Sequence, residues 1–260
     1  MNISPPPGGA APQAAHRRWH AASVAAVTVA VVAVAAAAVA AVAAASGGPP
    51  SDGPGGLGSL SHVGSVSAGP VTAVDLQAAP GQLTVVGAAT SQARMTGQLH
   101  WTGHAPAVTV GLDRATGVLR LSYRCAAASP CTGNYRLIVP ARAAIVLRQP
   151  AGHLVLSGLA GPLQITAQSA DVSATGLRSR TVTAAITSGH LNASFDTPPR
   201  QVSVTLTSAQ AALRLPGTTF YQVSSQVTAG YVHVGIPRAS RAASAVTARI
   251  SSGELDLLPR

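Results

Sequence analysis

The residues best placed for chemistry are His153, Asp171 and His190. Each directly follows a small residue, Gly152, Ala170 or Gly189, inside a phrase that the chain repeats. Histidine and carboxylate are both metal ligands, and a carboxylate raises the pKa of an imidazole beside it. If the phrases stack as neighbouring strands at about 4.8 Å, the two imidazoles lie about 9.6 Å apart with the carboxylate between them. A weak divalent site built from His153 or His190 with Asp171 is the sharper reading. Adjacent strands make no tetrahedral cage, however, so the plainer reading is a solvated polar ladder, and neither metal nor cofactor is expected. A second group, Tyr221, Tyr231 and His233 with Phe220, concentrates aromatic surface near one repeat. It reads either as a contact patch for a glycan or protein, or as a core in which Phe220 plugs the space beneath its loop.

Catalysis finds little support. The carboxylates number only seven, and no pair is read as placed for acid/base work. The sequence has no G-x-S-x-G elbow, H-E-x-x-H helix or phosphate loop. Its two cysteines, Cys125 and Cys131, are separated by AAASP, a spacing that matches neither a zinc knuckle nor a redox pair. Five small or turn-forming residues let the two Cβ atoms meet. A disulfide closing a hairpin is expected if the segment lies outside the cytoplasm, and two buried thiols otherwise.

The elements that position these residues are repeats. Residues 145–259 divide into six units of alternating apolar residues, a small corner and a second alternating run. The corners are Gly152, Ala170, Gly189, Ala209, Gly230 and Gly253, spaced 18, 19, 20, 21 and 23 residues apart. Alternation in short runs specifies strands, and no unit carries an apolar stripe at helical spacing. Near-constant period and common phase specify a parallel β-solenoid, an all-β fold with coils of about 18–23 residues. A two-sheet sandwich is the rival, but it has no need of units in phase. The stretch from Val71 to Gly87, with its Pro80-Gly81 corner, reads as a first coil capping one end, and residues 88–144 as less regular strands.

Toward the N-terminus, residues 1–20 form a Pro/Gly/Ala-rich stub and residues 21–45 an uncharged run that includes 15 alanines. As a helix this run extends roughly 37 Å, enough to span a hydrocarbon core of about 30 Å with some tilt. Arg17 and Arg18 precede it and no charge follows until Asp52, which places the N-terminus in the cytoplasm and the remainder outside. Ala43 to Ala45 before Ser46 would also suit a signal peptidase, although the apolar run is longer than cleaved signals carry. Residues 46–69 read as a flexible Gly/Pro/Ser linker and residues 70–260 as the solenoid domain.

All 17 basic residues are arginine, giving a formal net charge of +10. That balance favours anionic partners, though the arginines are scattered and reflect composition as readily as selection. Aromatic content of 3 % leaves little for stacking on bases, so nucleic acid is not an expected partner.

The repeated corners QSAD, TSGH, TSAQ, TAGY and SSGE, the cysteine loop before YRLIVP, and the N-terminal apolar run resemble the bacterial DUF4097 family, whose members are labelled adhesins. The resemblance covers roughly residues 71–258 and implies an extracytoplasmic β-solenoid with no established enzymatic activity. The expectation is therefore a single-pass, membrane-anchored binding or scaffolding module of the cell envelope. Its partner would be an envelope ligand such as an anionic polymer, a glycan or a membrane protein. A sensory partner of another membrane protein is the alternative, and a polysaccharide-acting enzyme a more remote one.

Overall fold

A computed structural model describes residues 57–65, 67, 69–127 and 129–260. The expected cytoplasmic stub (1–20), the expected membrane helix (21–45) and the first part of the expected linker lie outside the described residues. No helix among the described residues is long and apolar enough to cross a membrane.

Among the described residues every regular element is a strand. Six long ones, β8 (Ala144–Ser157), β9 (Leu163–Leu177), β10 (Thr181–Phe195), β11 (Gln201–Leu215), β12 (Tyr221–Val234) and β13 (Ser244–Pro259), are each one complete rung carrying a corner near its middle. All neighbours among them pair in parallel, with corner against corner: Gly152 on Ala170, Ala170 on Gly189, Gly189 on Ala209, Ala209 on Gly253 and Gly253 on Gly230. Two further rungs are split in two. β2 (Ala73–Gln77) and β3 (Gly81–Ala88) pair with the first and second halves of β8. β6 (Val118–Arg124) and β7 (Cys131–Pro140) then pair in parallel with β2 and β3. Antiparallel strands finish this end: β5 (Ala107–Asp113) on β6, β4 (Arg94–Thr102) on β7, and β1 (Leu57–Ser65) on β4.

In-register stacking turns the alternation of each rung into aliphatic columns. Ile145, Leu163, Val182, Val202 and Val246 form one, and Leu154, Val172, Leu191, Ala211 and Leu255 another; all are buried. Each fully buried Leu, Ile or Val contributes about 1.5–3 kcal/mol relative to exposure, so the columns supply most of the drive to stack. Short loops return the chain from the end of one rung to the start of the next, and Leu159, Leu177, Phe195 and Leu215 bury against them. One polar side chain sits in a column: Gln149 replaces the aliphatic residue of the rungs above, and its Nε2 donates to the carbonyls of Gly81 (3.0 Å) and Ala151 (3.2 Å). Its Oε1 is buried without a hydrogen-bond partner among the described residues.

The fold corrects four expectations. The coil from Val71 to Gly87 caps nothing, because β6 and β7 lie on its far side. The cysteine loop closes no hairpin: β6 and β7 pair with other strands, and the Cys125–Cys131 disulfide (Cα–Cα 5.7 Å) spans the corner of a split rung. Residues 57–65, read as linker, are a strand. Gly58 is there for space, since a Cβ on it would come 2.2 Å from the Trp101 indole, and Leu60 packs against the core. Finally, the last two rungs are exchanged, with β13 inserted between β11 and β12. The inward residues of β13 are Val246, Ala248, Ile250, Leu255 and Leu257, all buried, whereas the matching set on β12 includes Ser225. The more apolar rung takes the position with neighbours on both sides, and the one carrying an inward hydroxyl takes the end.

Candidate functional site

The residue after each corner points away from the core, and register assembles these residues into a single line. In stacking order they are Gln82, His153, Asp171, His190, Gln210, Glu254 and Tyr231. The sequence leads to six of these, without Gln82 and with the last two transposed. The line exists because the corner itself is so tight. Gly152, Gly189, Gly230 and Gly253 all adopt φ between 112° and 140°, a region open to glycine, and their peptides lie directly on the carbonyl of the neighbouring corner. With the corners fixed in this way, the following side chains have one direction available to them.

At the centre of the line, Asp171 sits between two imidazoles. His190 donates its Nδ1–H to Asp171 Oδ1 (2.9 Å), and His153 Nδ1 lies 3.7 Å from Oδ2. The hydrogen bond from His190 holds the Asp171 carboxyl below the usual carboxylate range, outweighing desolvation in the other direction. All three side chains are more than half exposed. With Ser169 and Ser188 they line an open hollow of about 290 Å³ floored by corner backbone. Thus the structure brings His153, Asp171 and His190 together as the spacing requires. Yet the described residues contain no group of three His, Cys, Asp or Glu side chains arranged to hold a metal ion.

Further along the line, the Tyr231 hydroxyl donates to Glu254, and that bond raises the phenol's pKa. Tyr231 is 56 % exposed on the end rung, His233 is exposed beside it, and Phe220 is 60 % exposed just before that rung. Tyr221 does not belong to this patch. It is fully buried, its hydroxyl donates to the Pro216 carbonyl (3.1 Å), and it takes the plug position expected of Phe220. The period-two count from Val223 places Tyr221 inward and Phe220 outward, so the sequence held the signal. The second feature that sequence reasoning missed is a pair of arginines, Arg142 and Arg178, on the loop side of the stack. Their proximity follows from loop register, which leaves no periodic trace.

Residues 157–257 match the Toastrack DUF4097 family, a stretch running from the last residue of β8 through nearly all of β13. No curated protein matches the chain. Among solved structures, it is similar to a candidate cell adhesion protein from Clostridium sporogenes, at a TM-score of 0.44 and 11 % identity, covering 79 % of this chain and 100 % of that one. It is also similar to a candidate adhesin from Bacteroides fragilis, at a TM-score of 0.34 and 10 % identity, covering 78 % and 97 % of the two chains.

Proposed function

We propose that this protein is a membrane-anchored, extracytoplasmic β-solenoid that serves as a non-catalytic binding or scaffolding module of the cell envelope. The observation that carries the reading is the corner line. Seven side chains of mixed polarity, from Gln82 to Tyr231, are presented one per rung on a rigid stack. Such a row offers evenly spaced hydrogen-bonding and charged groups over an extended surface. It lacks the enclosed, water-excluding pocket that chemistry on a bound substrate favours. The anchor rests on the uncharged run at residues 21–45 behind Arg17 and Arg18. The extracytoplasmic address is supported by that asymmetry and by the Cys125–Cys131 bridge.

The test places a photo-crosslinking residue at position 190 or 210 in the full chain, in living cells, with position 247, in the first half of β13 away from the corners, as control. Adducts with an envelope component at 190 and 210, absent at 247, are expected. Equal labelling at all three positions, or none, would count against the corner line as the binding surface. Turnover of an envelope polymer by the purified chain would overturn its non-catalytic part.

A further inference from the structure

We infer that the loop side of the stack holds a phosphoryl-binding site built from Arg142 and Arg178. Loop register brings the two residues together. Ala141 N donates to Ala88 O (2.9 Å), Ala160 N to Ala141 O (2.7 Å) and Arg178 N to Leu159 O (2.8 Å). These bonds put Arg142 and Arg178 on either side of Ala160, two rungs or about 9.6 Å apart. Ala160 places only a methyl group on the rung between them. Both arginines border an open hollow of about 500 Å³, together with Ala89, Thr90, Ser91 and Ala141. Thr90 is already committed, its hydroxyl bridging the N–H and the carbonyl of Gln92, which holds the loop in shape.

Charge decides what the hollow takes. None of its lining residues is acidic, and among the described residues neither arginine has an ion-pair partner. The one carboxylate in the same column, Asp196, follows one rung beyond Arg178 (Asp196 N to Leu177 O, 2.8 Å) and is taken by Arg260. Arg180 and Arg200, exposed on adjoining loops with Arg200 N on Arg180 O (2.8 Å), extend the positive field along the same side. Two guanidinium groups that border one hollow from rungs two apart suit a tetrahedral oxyanion, whose oxygens lie in several planes. A carboxylate presents two coplanar oxygens, which match the plane of a single bidentate fork. The phosphoryl group belongs either to a lipid headgroup or to a soluble or polymeric phosphate. This site lies on the side away from the corners and does not depend on the corner line as a binding surface.

The experiment titrates inorganic phosphate, and separately acetate, into the full chain in phosphatidylcholine nanodiscs by calorimetry at low salt. Phosphate binding is expected, weakened about tenfold or more in R142Q and in R178Q, with R214Q within about twofold of the parent. Ala160→Asp, which seats a carboxylate between the forks while keeping both arginines, is expected to abolish it. Each variant is accepted only with an unchanged unfolding midpoint. Repeating the titration in discs containing phosphatidylglycerol separates the sources: a loss of apparent phosphate affinity assigns the site to a lipid headgroup, and no change assigns it to a soluble phosphate. Phosphate affinity indifferent to R142Q, R178Q and A160D overturns the site, and acetate binding as tightly as phosphate overturns its phosphoryl selectivity. Either failure would leave the crosslinking result at the corners untouched.

Discussion

Replacing Gly189 with alanine isolates what the corners do for this fold. Gly189 has φ +112°, and a Cβ built on it would stand 2.2 Å from the carbonyl oxygen of Ala170, 2.9 Å from its carbon and 3.2 Å from its nitrogen. Ordinary contact begins near 3.4 Å, so the oxygen would have to retreat by about 1 Å. That oxygen belongs to a peptide locked into the parallel ladder, not to a flexible side chain. Holding a non-glycine residue in such a region costs about 1–3 kcal/mol, and distorting one ladder hydrogen bond adds about 1 kcal/mol. Gly189→Ala should therefore destabilise by about 2–4 kcal/mol. The reverse change one rung away is the control. Ala209 is buried at the same corner position, and Ala209→Gly should cost only about 1–2 kcal/mol, from the lost methyl and the added chain entropy. Urea unfolding monitored by far-UV circular dichroism, analysed by linear extrapolation, measures both. A Gly189→Ala protein within about 0.5 kcal/mol of the parent would refute the claim that the corner is fixed by backbone contact.

Other consequences are equally accessible. Leu206 is fully buried between Ile186 and Ile250, so Leu206→Ala should lose about 2–5 kcal/mol, while Val227, 37 % exposed on the end rung, should lose under about 1 kcal/mol on truncation to alanine. Equal losses at the two sites would contradict the end position of β12. Reducing the Cys125–Cys131 bridge, with a sequence separation of 6, should cost about 2 kcal/mol by loop-closure entropy; an unchanged urea midpoint in reductant would deny it that role. The Asp171 carboxyl should titrate below the ordinary value of about 3.9, and His190→Ala should return it toward that value in a carbon-detected NMR titration. Because the folded value is depressed, the pair's contribution to stability is present above pH of about 3.9 and lost as pH falls through the lower folded value. The pair is exposed, so the midpoint of unfolding should hardly move with this substitution; a large shift would mean that Asp171 is not the solvated group seen here.

Much of the architecture was legible because parallel stacking makes one letter pattern serve every rung. Val182, Ala184 and Ile186 predict the inward face of β10, and the same offsets predict those of β9, β11 and β13. The neighbours of His153, Asp171 and His190 follow from that register alone. Rung order was harder, since a repeat says that units stack and not in which sequence. The clue lay in Ser225, a hydroxyl at an inward offset that the end rung leaves exposed to water. The rung formed by β6 and β7 was hidden because its corner is replaced by a cystine loop, so the two halves read as a hairpin. β1 was hidden because Gly58 was counted as linker flexibility when its role is to clear the Trp101 ring. Arg142 and Arg178 could not have been paired at all, because the loops that bring them together differ in length and carry no period.

The order of the rungs fixes every outward position, and pairwise cysteine substitution tests it most directly. Gln210 stands beside Glu254, and Glu254 beside Tyr231, on neighbouring rungs, whereas Gln210 and Tyr231 are separated by a rung. Mild oxidation should join cysteines at 210 and 254, and at 254 and 231, at strand-neighbour distances that a disulfide tolerates, while the 210 and 231 pair stays reduced. Rapid cross-linking of 210 to 231, with 210 and 254 unreactive, would contradict the stack and with it the line of side chains on which the binding surface rests.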